Sequence, residues 1–244
     1  MSLGRLGTLL VFAIGMTWFA ARAGAQVIID PFDPIRSTLQ SSYIAISGQT
    51  AGEPDLCSDQ RCGNFVVTIR NFANDPVAGS AVMIDFSGCA DIQIACDQLT
   101  ASTGQTYLGN KRVVGFTNAS GQFTFRVIGA SNAILMAGNV TAPGTSAGVA
   151  CAQVYADGVV LTPALIVAAY DVNGAGSPFA AVNSADASLV AAEGIKVALG
   201  ATARARDDYN QSNTVTAADA SIAMRMGLEA ALGTGSQNTG PFCP

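Results

Sequence analysis

Histidine is absent from all 244 residues. Its absence removes Ser-His-Asp and Cys-His nucleophilic catalysis, and every metal centre that depends on imidazole. Glutamate is scarce as well: Glu53, Glu193 and Glu229 are the only three. The paired carboxylates of glycoside hydrolysis would have to be built from aspartates, and no segment presents such a pair. Charged residues make up only 12% of the chain, 12 basic against 17 acidic, for a net charge of −5. An acidic surface with few Lys and Arg repels phosphate backbones, so nucleic acid is not an expected partner. Beyond residue 25 no apolar run approaches the ~20 residues of a membrane-spanning helix. The longest, Val159 to Ala169, is interrupted by Pro163. These absences argue against an enzyme and against stable membrane insertion.

The first 25 residues have the pattern of a secretory signal peptide. Arg5 lies in a short n-region, Leu6 to Ala20 is apolar, and Ala23-Gly24-Ala25 is a small-x-small cleavage site before Gln26. Cleavage would remove Arg5 and Arg22 and no acid, moving the formal charge to −7. The expected location is extracellular or on the cell surface. Six cysteines, an even number, suit that oxidising compartment. Proximity in sequence suggests Cys57 with Cys62 and Cys89 with Cys96, leaving Cys151 for Cys243, although spacing alone does not choose among the connectivities. The C-x4-C and C-x6-C spacings lack the C-x2-C pairs of a zinc site.

Residues 40 to 162 read as short strands between turns. "SYIAIS" (42–47), "NFVVTIR" (64–70), "SAVMIDF" (80–86), "RVVGFT" (112–117), "QFTFRVI" (122–128) and "GVACAQVYA" (148–156) are rich in Val, Ile, Phe and Tyr. In "QFTFRV" the alternation puts Phe123, Phe125 and Val127 on one face. Asn74-Asp75-Pro76, Ser120-Gly121 and Asp157-Gly158 are turn signals. The pattern predicts an antiparallel β-sandwich over 26–162. The run Pro76, Val77, Gly79, then Thr117, Asn118, Gly121 and Phe125 resembles bacterial immunoglobulin-like repeats of the invasin and intimin type. That resemblance implies a spacer or binding module. The cysteine-bearing insert 89–111 departs from it and is expected to be a disulfide-pinned surface loop, with a binding loop as the alternative.

After Pro163 the character changes. Segments 185–199 and 217–232 are Ala-rich, with Leu189, Val190 and Val197, then Ile222, Met226 and Ala230, recurring at helical spacing. Gly200 and Gly233 fit as helix stops. "VNSADASL" (182–189) and "VTAADASI" (215–222) repeat one another, and each follows an Asp-x-Asn, at 171–173 and 208–210. The region is therefore a duplicated loop-plus-helix unit. The second loop, "DYNQSNTVTAAD" (208–219), carries oxygens at the places a twelve-residue calcium loop uses. These are Asp208, Asn210, Ser212, Thr214 through its carbonyl, Thr216 and Asp219 at place twelve. Asn213 stands where glycine is usual, and Val215 is expected to pair as a short strand with Val182. The metal-free alternative is a polar Asx turn capping a helix. In the first loop Asp171, Asn173, Asn183 and Asp186 match, but four extra residues intervene and only Ser177 supplies an oxygen near place five. Calcium there and a metal-free, Gly/Pro-shaped loop both stand.

On these residues, 166–232 resembles a type I dockerin, the calcium module that docks exported proteins onto cohesin-bearing scaffolds. "VVLTPALIVAAY" ahead of the first loop reads as strand and "GATARARD" ahead of the second as a connector, so neither loop has an EF-hand's entering helix. The resemblance implies Ca²⁺ as ligand and a cohesin-like partner. It places recognition at Ser184, Ala185, Ala217 and Ala218, with Lys196 and Arg225 on the helices. The expected fold is mainly β with a small α C-terminal part: an immunoglobulin-like sandwich (26–162) followed by dockerin-like calcium loop–helix units (163–244). The expected function is non-catalytic docking and display. The alternatives are an extracellular structural or adhesion protein in which calcium only stabilises the fold, and a component of a carbohydrate-active system.

Overall fold

The β-branched and aromatic stretches form strands because a pleated, half-buried surface suits side chains that are stiff at χ1. The computed structural model describes residues 32–46, 64–131, 140–143, 150–174, 182–200, 202–204, 207–210, 212, 214–232 and 240–243, with backbone only at 140–143, 202–204 and 226–232. Strands dominate the described residues. Strands β1 (Thr38–Leu39), β3 (Asn64–Thr68) and β8 (Gln122–Arg126) make a three-stranded antiparallel sheet in the order β1-β3-β8. A six-stranded sheet runs β2 (Tyr43–Ile46), β12 (Val159–Ala169), β11 (Ala152–Ala156), β4 (Ala81–Asp85), β7 (Arg112–Phe116) and β6 (Thr106–Gly109). Its pairs are antiparallel except β2 with β12, which is parallel.

The two sheets share one apolar core. Phe65, Val67 and Phe125 enter it from the smaller sheet, and Val82, Ile84, Val113, Val154 and Leu165 from the larger. Period-two alternation predicts that division, and Phe125 and Val127 are buried as expected. Phe123 is only partly buried, and its ring lies over Gly115, where an added Cβ would come within 2.1 Å of it. The rings of Phe123 and Phe125 meet edge to face with centroids 4.7 Å apart.

The insert 89–111 is part of the fold and not a pinned surface loop. It contains β5 (Ile92–Ile94), a short helix α1 (Thr100–Thr103) and β6, and β5 pairs with β9 (Gly129–Ser131). Two buried glutamines complete its backbone pairing. Gln98 donates from Nε2 to the carbonyls of Ala95 and Ile128, and its Oε1 accepts from Ile128 N. Gln105 spans the neighbouring gap, donating to Gln98 Oε1 and the Arg126 carbonyl and accepting from Arg126 N. Each amide side chain acts as a peptide unit where no strand is present.

The same insert overturns the expected disulfides. Cys89 is bonded to Cys151, with Cα atoms 5.0 Å apart, and Cys96 to Cys243, 5.1 Å apart. Seven residues that include an extended strand span up to ~20 Å, so β5 carries Cys96 out of Cys89's reach. The C-terminal tail is stapled to the body, but through Cys96 and not through Cys151. Ala95 also bridges to Phe242, and Cys243 N donates to the Ile94 carbonyl. Cys57 and Cys62 lie outside the described residues.

The helices form where the Ala-rich periodicity places them: α2 (Ser184–Ala198) and α3 (Ala217–Leu232). Leu199 is the C-cap of α2 and Gly200 follows at φ +83°, the left-handed stop glycine provides. Gly233 lies outside the described residues. The connector before the second loop is not wholly irregular, since β13 (Thr202–Arg204) pairs with β10 (Val140–Pro143). Strand β12 passes through residues 162 and 163, the expected domain boundary, without a break. Its Leu165, Val167 and Ala169 face the core between the sheets. Its Ala168 faces a second core with Tyr43, Ala45, Tyr170, Val190, Val197, Tyr209 and Ala223, which joins the sheet edge to the helices. A parallel pair covered on both faces reads as a continuous apolar run, as "ALIVAAY" does. Among the described residues no helix is long and apolar enough to cross a membrane.

Candidate metal and docking site

The site sits where the chain leaves β12 and again where it enters α3. Helix α2 begins with a capping box: the Asn183 side chain accepts from Ala185 N at 2.7 Å, while Asp186 Oδ2 accepts from Asn183 N at 2.9 Å. The free oxygen of that carboxylate does more than cap. Asp186 Oδ1 accepts from Val172 N at 2.9 Å, and Asn173 N also donates to the group. Asp186 thus ties the start of the first loop to its end.

The second unit repeats the backbone contacts of this plan and adds one side-chain donor. Asp219 Oδ1 accepts from Tyr209 N at 2.9 Å and Asn210 N at 3.2 Å. Its Oδ2 accepts from Thr216 N at 2.8 Å and from the Thr216 hydroxyl at 3.2 Å. Thr216 Oγ1 accepts from Ala218 N, as Asn183 does from Ala185 N. One turn on, the Ser188 and Ser221 hydroxyls donate to the carbonyls of Ser184 and Ala217. The first loop, four residues longer, has the same backbone contacts to its closing carboxylate.

Within the second loop, Asp208 Oδ1 and Asn210 Oδ1 both accept from Ser212 N at 3.0 Å. The Ser212 hydroxyl donates to the Thr214 carbonyl at 2.9 Å. Places one, three, five and seven therefore converge around one turn. In the first loop Asp171 and Asp186 are both fully buried. Burial first, and then the charge of Asp171 beside it, raise the Asp186 carboxyl well above the usual range, against the pull of its amide donors. Gly174 packs directly on Asp171, and a Cβ there would meet the carboxylate at 2.0 Å. Ser177 lies outside the described residues, as does Asn213.

The sequence reading missed three groups. Asp207 is fully buried beside the predicted Asp208, although the Asp-Asp pair is visible in sequence. Tyr209 is buried at the centre of the second core, its hydroxyl donating to the Ala169 carbonyl at 2.9 Å and its ring 4.9 Å from that of Tyr170. Burial, with Asp207 nearby, holds its phenol well above the ordinary tyrosine range, so it is a neutral donor. Glu193 is buried on α2 and bonded to Lys196 at 2.9 Å. Val182 and Val215 are both buried in the second core, yet neither is in a strand, so the expected short strand pair is not formed. The six residues expected to face a partner, Ser184, Ala185, Lys196, Ala217, Ala218 and Arg225, are all exposed.

The donor set fits calcium only in part. Asp208, Asn210, Ser212 and the Thr214 carbonyl are hard oxygens gathered on one turn, as the ion prefers. Place twelve does not fit. A carboxylate offers about four acceptor positions, and Asp219 has four donors on it. Among the described residues no three Cys, Asp or Glu side chains gather as a metal cluster. Comparison of the chain with protein-family models, with curated proteins and with solved structures gave no match.

Proposed function

We propose that the chain is an exported, non-catalytic protein. In this reading a dockerin-like pair of loop–helix units docks onto a cohesin-like partner and displays an immunoglobulin-like β-domain, with Ca²⁺ held at the second loop. The observation that carries it is the duplicated hydrogen-bond plan around Asp186 and Asp219, which sets two equivalent helix starts at the surface with Ser184, Ala185, Ala217 and Ala218 exposed. Small side chains there leave room for a flat β-surface to approach the helices closely. The ion would be held by Asp208, Asn210, Ser212 and the Thr214 carbonyl.

A calcium titration by calorimetry tests the ion, with Asp208→Ala alongside. Heat in the parent that is lost in the variant supports the site. No heat in the parent removes calcium from the reading. Binding to a panel of cohesin domains, abolished by Ala217→Arg with Ala218→Arg, tests the docking face. The second reading, an extracellular structural protein without a docking partner, draws its support from place twelve, where the carboxylates serve the backbone.

A further inference from the structure

We infer that the two loop–helix units are closed by protein donors and not by an ion, so that the exposed face they present is assembled without calcium. The inference goes beyond the docking reading and concerns how that face is built. In a calcium loop the twelfth residue gives the ion its two carboxylate oxygens and so draws the helix onto the loop. Here Asp219 holds Tyr209 N and Asn210 N on one oxygen and Thr216 N and its hydroxyl on the other. Those contacts already perform the ion's mechanical task, since they join places two and three to the helix start. Asp186 does the same for Val172, Asn173 and Asn183.

An ion that took both oxygens of Asp219 would displace these donors. Tyr209 is fully buried, so its amide would lose its partner away from water. Two further observations bear on closure. Tyr209, held by Asp219, also donates to the Ala169 carbonyl of β12, so the closed loop is anchored to the sheet. Val172 and Val215, one beside each loop's bracket, are buried in the same core as the helices. Four extra residues in the first loop leave its bracket intact, as expected where closure depends on the two ends and not on a coordination shell between them.

The experiment is amide hydrogen exchange by NMR on the calcium-stripped chain in chelator, with thermal melts of Asp219→Ala, Asp186→Ala and Asp208→Ala in chelator and in calcium. Val172, Asn183, Tyr209 and Thr216 amides are expected to exchange at least ~100-fold more slowly than in an unfolded chain while chelator is present. Asp219→Ala and Asp186→Ala are expected to lower the melting temperature equally with and without calcium, whereas Asp208→Ala, which removes only one of the two acceptors of Ser212 N, is expected to lower the chelator melt less than either. Unprotected amides that become protected only when calcium is added would overturn the inference, even if the variants fail to fold. The calorimetric heat is read separately, so protection in chelator without calcium heat would retain the bracket and remove the ion from the proposed function.

Discussion

Two glycines of this chain, at positions 121 and 194, are under different constraints, and substitution by alanine separates them. Gly121 has φ +71°, and a Cβ there would lie 2.5 Å from the Ile69 carbonyl oxygen. Backbone cannot yield as a flexible side chain can, so Gly121→Ala is expected to cost ~2–4 kcal/mol in a urea melt. Gly194 lies inside α2, where the nearest atom to an added Cβ is the Val215 carbonyl oxygen at 3.4 Å. That is ordinary contact, and Gly194→Ala is expected to stabilise by ~0.5–1 kcal/mol through helix propensity and lost unfolded-state freedom. Destabilisation by the second substitution would mean that α2 and the second loop approach more closely than described. The turn at Gly121 was legible in "NASGQF"; the carbonyl against it was not, because Ile69 is remote in sequence.

The cysteines show what elements impose on residues. Cys89 and Cys96 are neighbours in sequence, yet β5 lies between them and each is drawn to a different part of the chain. Peptide mapping of the unreduced protein is expected to recover Cys89 joined to Cys151 and Cys96 joined to Cys243; a linked 89–96 peptide would refute both. Cys96→Ser with Cys243→Ser opens a loop of 147 residues. The chain-entropy model assigns such a loop up to ~5 kcal/mol, so a large drop in melting temperature is expected, one that disappears when parent and variant are compared under reduction. Strand β12 is the other lesson at this scale. Its apolar run suited a strand, but that both faces are covered follows only from the helices that return over it.

At the scale of the whole molecule, the sheet edge and the helical pair are joined by the second core. A chain truncated after Thr162 would lose Ile166–Ala169, the partners of Tyr43–Ile46. It is expected to aggregate or elute as a broad oligomer in size-exclusion chromatography, because β2 would lose its ladder partner while remaining apolar on both faces. A monodisperse, folded product would instead show that the boundary at 162 and 163 separates independent domains. Extending the chain through Asp171 is expected to restore the ladder but leave Tyr43, Ala45 and Tyr170 uncovered, read as binding of a hydrophobic dye.

The sequence by itself determined the elements and the repeat. Alternation marked β3, β4, β7, β8 and β11, Ala-rich periodicity marked α2 and α3 to within a residue, and the matching 182–189 and 215–222 segments marked the duplication. These depend on neighbours along the chain, through side-chain period and backbone propensity, and so are written locally. Tertiary structure alone decided the disulfide partners, the glutamines that stand in for a strand, the second core beneath the helices, and the donors that fill Asp219. Each of these depends on which distant backbone groups and side chains arrive at the same place, and an isolated stretch such as "DYNQSNTVTAAD" cannot specify whether its last carboxylate meets an ion or the amides of its own loop.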